Sequence, residues 1–250
     1  MSAEVLMYHD VIHEKYTESG FDTPGANYYK TEVEAFESHL SLLSQMIHDG
    51  RIRYEDVVFT FDDGGVSSYR VIAPLLEKYN FVGHFYISTD YIDEPTFLSE
   101  QEIKSLVQRG HKVGSHSASH PSNMSILSKE DRQNEWAKSI SRLKEITGAP
   151  IEEISVPNGF LIKEDIDFVK ALGISKIYTS KFGENRQDAG VTFIGRYPIN
   201  RDTTAKEIQR LFTSRYYRMS VRSRQRILSL IKSVLGNNYI KIKKHIRKWL

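Results

Sequence analysis

The chain has 250 residues, 40% of them hydrophobic and 11% aromatic, enough for one large α/β domain or two small ones with a sizeable core. It contains no cysteine, which excludes a disulfide framework and a thiolate metal site, so any bound cation must be held by imidazole and carboxylate. The net charge of +2 hides an asymmetry: residues 201–250 carry 14 Lys and Arg against 2 Asp and Glu, residues 1–200 carry 20 against 30.

In chain order, short β-branched or apolar runs at Val5–Tyr8, Val57–Phe61, Val82–Ser88, His111–Ser115, Ile154–Val156 and Ile177–Thr179 read as strands. Amphipathic segments lie between them. A helix is expected to begin at Thr31, with Glu34 three residues on and Phe36, Leu40, Leu43 and Ile47 on one face. The Ser99 and Glu102 pair opens another that stops at Gly110, a third runs from Ser128 to about Gly148, and a fourth lies between Ile162 and Gly173. This alternation predicts mostly parallel strands, in a barrel or an open sheet. Residues 1–200 read as the body of the molecule and residues 201–250 as a basic amphipathic extension. In the extension Ile227, Leu228, Ile231, Val234 and Leu235 form one apolar stripe; Tyr239, Ile242, Ile246 and Trp249 form a second, after a Gly236-Asn237-Asn238 break.

Three polar clusters follow three of these strands: Asp62-Asp63-Gly64, His116 to His120, and Pro157-Asn158-Gly159. In a parallel barrel the strand ends share one rim, so all three face one pocket. A spacing of four puts His116 and His120 on one side of a helical turn, within reach of a single cation. The adjacent carboxylates Asp62 and Asp63 permit a division of labour in which one completes the ligand set and the other acts as general base. Amide hydrolysis needs an oxyanion donor as well, and a backbone N–H at Asn158 or Gly159 is the candidate. His9, ending the first strand, faces the same rim as a substrate or proton-transfer candidate. Taken alone, two histidines four apart or an Asp-Asp-Gly turn are more often structural, and the convergence of all three clusters is what favours a site.

At these residues the chain resembles the polysaccharide deacetylases of NodB-homology type, carbohydrate esterase family 4. Thr60-Phe61-Asp62-Asp63-Gly64 is similar to the first family signature and His116-Ser117-Ala118-Ser119-His120 to the second; Val5 to His9, Gly83 to Ile87 and Ser99 to Gly114 extend the resemblance over about residues 3–200. The resemblance implies a distorted, incomplete (β/α) barrel, with Asp62 as base and Asp63, His116 and His120 as ligands of a divalent metal. That metal is commonly Zn2+, and Co2+, Ni2+ or Mn2+ can serve. It also implies removal of an N-acetyl group from an amino sugar in cell-surface polysaccharide biosynthesis. Two departures stand out. The third signature, Arg-x-Pro-Tyr-Gly, is here Ser155-Val156-Pro157-Asn158-Gly159, without the Arg that orients the base; Arg196 or Lys181 would have to supply that cation. The late histidine that protonates the leaving amine is absent from Phe193 to Ile199, leaving water, Asp62 or His9. These losses motivate an alternative, a weak or inactive module that binds metal and carbohydrate or docks a biosynthetic partner.

The N-terminus lacks the pattern of a signal peptide and no segment has the length of a membrane span, so a cytoplasmic location is the expectation. The basic tail predicts peripheral contact with the inner membrane surface, or else helices packed on the barrel; sparse aromatic interleaving argues against nucleic acid.

Overall fold

In a computed structural model the described residues are 3–159, 162–188 and 190–235, with side chains as far as residue 227. Their elements in chain order begin with β1 (Glu4–Tyr8), β2 (Val11–Ile12), α1 (Pro24–Tyr29), β3 (Thr31–Glu32), α2 (Val33–His48), β4 (Val57–Phe61), α3 (Ala73–Lys78) and β5 (Gly83–Ile87). Next come α4 (Glu100–Gln108), β6 (Lys112–Ser115), α5 (Lys129–Thr147), β7 (Glu153–Ser155), α6 (Ile166–Ala171) and β8 (Lys176–Thr179). The chain continues through β9 (Arg186–Asp188), β10 (Val191–Gly195), β11 (Tyr197–Pro198), α7 (Ala205–Thr213) and α8 (Arg215–Leu235).

Nine strands form one curled sheet in the order β11-β1-β4-β5-β6-β7-β8-β10-β9, a half-barrel in which only the β10–β9 pairing is antiparallel; β2 and β3 pair separately. Parallel pairing brings the C-terminal ends of β4, β6 and β7 to a common rim. Helices cover the outer face, where Phe36, Leu40 and Leu43 of α2, Leu76 of α3, Ile103 and Leu106 of α4, and Trp136, Ile140 and Leu143 of α5 are buried. Ile208, Leu211 and Phe212 of α7 join the same core, so apolar packing continues past residue 200.

The concave face is filled differently. Val5, Val58, Tyr86, Tyr178 and Ile194 form a small apolar layer, below which Glu153 meets His84 at 2.8 Å and Lys176 at 2.8 Å. Above it lies the rim, where Arg196 stands 5.8 Å from the Tyr86 ring. Tyr178 is buried in this layer against Tyr86, 5.1 Å between centroids.

Helix starts that depend on local chemistry fall where the sequence puts them. Ser99 and Glu102 form a reciprocal capping box on α4, Ser128 caps α5, and Gly148 ends α5 at φ +67°, where a side chain is disfavoured. Helix α2 differs: Thr31 belongs to β3 and the N-cap is Glu32, with no side-chain cap. The first tail stripe falls in α8, which begins earlier, at Arg215. The Gly236-Asn237-Asn238 break, the second stripe and the side chains of Leu228, Ile231, Val234 and Leu235 lie outside the described residues.

Candidate active site

Asp62 and Asp63 stand just past β4, where the turn forces Asp63 to φ +80°, a conformation costly for a residue with a Cβ. His116 and His120 follow β6, but the segment between them is not helical. Its shape comes from Ser117 at φ +66° and His120 at φ +53°, with the His120 N–H donating to Ser117 Oγ at 3.2 Å. Glu135 of α5 accepts from the N–H groups of Ala118 and Ser119 at 3.0 and 2.8 Å and from Ser119 Oγ. The expectation of a helical turn is therefore corrected: a bent loop, braced from α5, converges the two imidazoles.

They converge on Asp63. Its Oδ1 lies 3.4 Å from His116 Nε2 and 3.3 Å from His120 Nε2, and the three ligand atoms lie within 4.8 Å of one another. Asp63 Oδ1 is buried and, among the described residues, makes no well-formed hydrogen bond, an arrangement that costs free energy unless a cation sits among the three atoms or His116 carries a second proton. His116 Nδ1 lies 2.9 Å from the Ser155 carbonyl, which only accepts, so Nδ1 carries a proton and Nε2 is the nitrogen whose lone pair would be open to a cation. Two imidazoles and one carboxylate are a donor set that suits Zn2+ and its borderline neighbours.

Burial works against charge on both aspartates, but positive neighbours outweigh it. The Arg196 guanidinium, with His116 and His9, holds Asp62 below the usual carboxylate range; His116, His9 and His120 do the same for Asp63. Burial likewise opposes a charge on His116, yet Asp62 and Asp63 raise its pKa, whereas burial and the neighbouring His116 lower that of His120.

The cation missing from the third signature is present. Arg196, between β10 and β11 and only 1% exposed, grips Asp62 bidentately, Nη1 to Oδ1 at 2.7 Å and Nη2 to Oδ2 at 2.8 Å. Ser155, which stands where the signature has its Arg, donates from Oγ to Asp62 Oδ2 at 3.1 Å and accepts from Arg196 Nη2 at 2.8 Å. Lys181 instead lies at the surface, 3.5 Å from Glu184.

His9 reaches the rim as well, its ring 5.0 Å from Tyr29 and its buried Nδ1 without a partner. At the third cluster Asn158 adopts φ +52° and Gly159 φ +74°. The Gly159 N–H is already engaged by the Val156 carbonyl at 3.1 Å, which leaves Asn158 as the backbone donor to consider.

One group without a signal of its own is Asp10. It is buried and accepts at Oδ1 from Ser19 Oγ at 2.6 Å and Ser67 Oγ at 2.9 Å. Lys30, 1% exposed, donates from Nζ to the carbonyls of Ser19, at 2.6 Å, and Tyr16. Together they pin residues 16–20 against the loop that follows Asp63. A Cβ on Gly65 would stand 1.9 Å from Asp10 Oδ1, so only glycine lets the two segments meet.

The fold has known counterparts. Residues 50–177 match the family model described as polysaccharide deacetylase. A candidate polysaccharide deacetylase of Bacillus subtilis, YxkH, is 23% identical over 210 residues, 78% of this chain and 71% of its own length. Among solved structures, the Streptococcus pyogenes deacetylase PplD, in complex with acetate, superposes with a TM-score of 0.68 at 18% identity, over 84% of this chain and 97% of the other. IcaB from Ammonifex degensii gives 0.68 at 24% identity, over 85% and 97%. With the family model covering half the sequence, including the Asp62-Asp63 turn and both histidines, the chain belongs to the polysaccharide deacetylase family.

Proposed function

We propose that the protein is a divalent-metal-dependent hydrolase that removes the N-acetyl group from an amino sugar of a cell-surface saccharide or its precursor. The observation that carries this reading is the buried Asp63 Oδ1 facing two imidazole Nε2 atoms, beside a second carboxylate clamped by Arg196. Asp63, His116 and His120 hold the cation, which when bound supplies Lewis acidity toward the acyl oxygen and the attacking water.

The remaining work falls to the chain's own groups. Asp62, its carboxylate held in place by Ser155 and Arg196, takes the proton from water. Arg196 lowers the basicity of that carboxylate but keeps it charged and fixed in direction. The Asn158 N–H is the donor to the developing oxyanion. Proton return to the leaving amine falls to His9, whose Nδ1 has no other partner. The inactive-module alternative loses one of its two motives with Arg196 beside Asp62; the absent late histidine is the other.

The test is acetate release from N-acetylated oligosaccharides together with metal content, for the wild type and Asp62→Asn. Expected are bound divalent metal in both proteins, chelator-sensitive turnover in the wild type, and a loss of about 1,000-fold in Asp62→Asn. Metal and saccharide binding without turnover in the wild type would establish the binding module instead. In His9→Gln, kcat should fall about 100-fold with KM little changed.

A further inference from the structure

Helix α8 has two faces of different fate. Its inner face is anchored to the barrel: Tyr217 Oη meets Tyr197 Oη at 3.1 Å, Arg218 pairs with Glu4 at 3.3 Å, Val221 packs on the core, and Arg222 lies 5.3 Å from the Phe182 ring. Gln225 accepts from the Phe182 N–H at 2.9 Å. The outer face carries Tyr216, Met219 and Ile227, which are 86%, 51% and 57% exposed. Steps of three and eight residues put them on one stripe at helical periodicity, with Ser220 and Ser223 between them. Arg215, Arg224 and Arg226 are exposed around this stripe. From residue 208 to residue 250 the sequence holds 12 Lys and Arg and no Asp or Glu.

We infer that this face of α8 docks on an anionic lipid bilayer. Exposed apolar groups in a single stripe gain by entering the headgroup region, and exposed cations around that stripe gain at a surface of lipid phosphates. Nucleic acid would answer the charge, but it offers nothing to Met219 and Ile227. None of the described helices is long and apolar enough to cross a membrane, so the contact is peripheral. Its direction carries information too. Arg218 touches Glu4 at the start of β1, while Arg222 and Gln225, one and two turns later, meet Phe182 beyond the end of β8. The helix thus climbs toward the rim that bears Asp62 and Asp63, and the Ile227 end of the stripe lies at the same end of the barrel as the catalytic mouth.

The experiment is co-sedimentation of the full chain with vesicles of phosphatidylcholine alone or mixed with phosphatidylglycerol, at low and high salt. Expected is binding to the phosphatidylglycerol vesicles only, weakening with salt. The triple variant Tyr216→Ser, Met219→Ser, Ile227→Ser should lose it about tenfold, with acetate release from a soluble oligosaccharide unchanged. The inference is overturned if the wild type ignores phosphatidylglycerol, or if the triple variant binds as well as the wild type. It is equally overturned if the exposed stripe proves to join two copies of the chain in solution, or if binding is to polyuridylate and not to vesicles. None of these outcomes bears on the deacetylase reading.

Discussion

Asp62 is 3% exposed, and its charge is sustained by a residue 134 positions along the chain. Removing one member of such a buried pair strands the other in a medium that cannot solvate it, at a cost of about 3–5 kcal/mol, whereas removing both is far milder. Arg196→Met is therefore expected to lower the unfolding free energy by about 3 kcal/mol and to abolish turnover, and Asp62→Asn added to it should restore much of the stability but none of the activity. Urea denaturation of the two variants decides this; equal stability would mean that the pair is not a buried ionic unit. The same pair marks a limit of reading the sequence. The Asp and His clusters were legible because their chemistry is compressed into five residues each. Arg196 could be named only as one of two cations, because nothing local ties a lone Arg after β10 to a carboxylate after β4, and the choice between Arg196 and Lys181 was made by the curl of the sheet.

At the scale of elements, what proved legible was what neighbouring residues decide. The six expected strands are all present to within a residue or so, and the ends of α4 and α5 follow from Ser99, Glu102, Ser128 and Gly148. Where long-range contacts decide, the sequence was silent: β2, β3, β9 and β11 are two or three residues long, and β11 exists because Leu6 and Met7 offer an edge to pair with. The same holds for the His116 to His120 loop, whose shape comes from Glu135 on a distant helix. The contact between the Asp10 segment and the loop after Asp63 is a further case, and it can be tested sterically. Gly65→Ala should cost about 2 kcal/mol by driving a methyl into the Asp10 carboxylate, and Asp10→Ala in the same chain should recover part of that loss. Strictly additive losses in thermal or chemical denaturation would show that the two segments do not bear on each other.

For the molecule as a whole, resistance to acid is set partly by a group outside the catalytic set. His39 is buried, its Nδ1 3.0 Å from Tyr8 Oη, and burial pushes its pKa down to about 4. The unfolded chain takes up that proton near pH 6.5 while the folded chain resists until about pH 4, so between these values the unfolded state binds more protons and stability falls as pH falls. The loss from this group reaches about 3 kcal/mol at the acid end and is absent above pH 7. His39→Gln should flatten the dependence of the urea midpoint on pH between about 6.5 and 4; an unchanged slope would assign the acid sensitivity to other groups. The strand order has its own consequence for a chain made from its N-terminus. Asp63, His116 and His120 are all translated, with the strands that carry them, well before Arg196, and β1 waits for the last strand, β11, to cover its open edge. A chain that folds as it is made would gather Asp63, His116 and His120 before Arg196, and the carboxylate of Asp62 would wait for its counter-charge until β10 is in place.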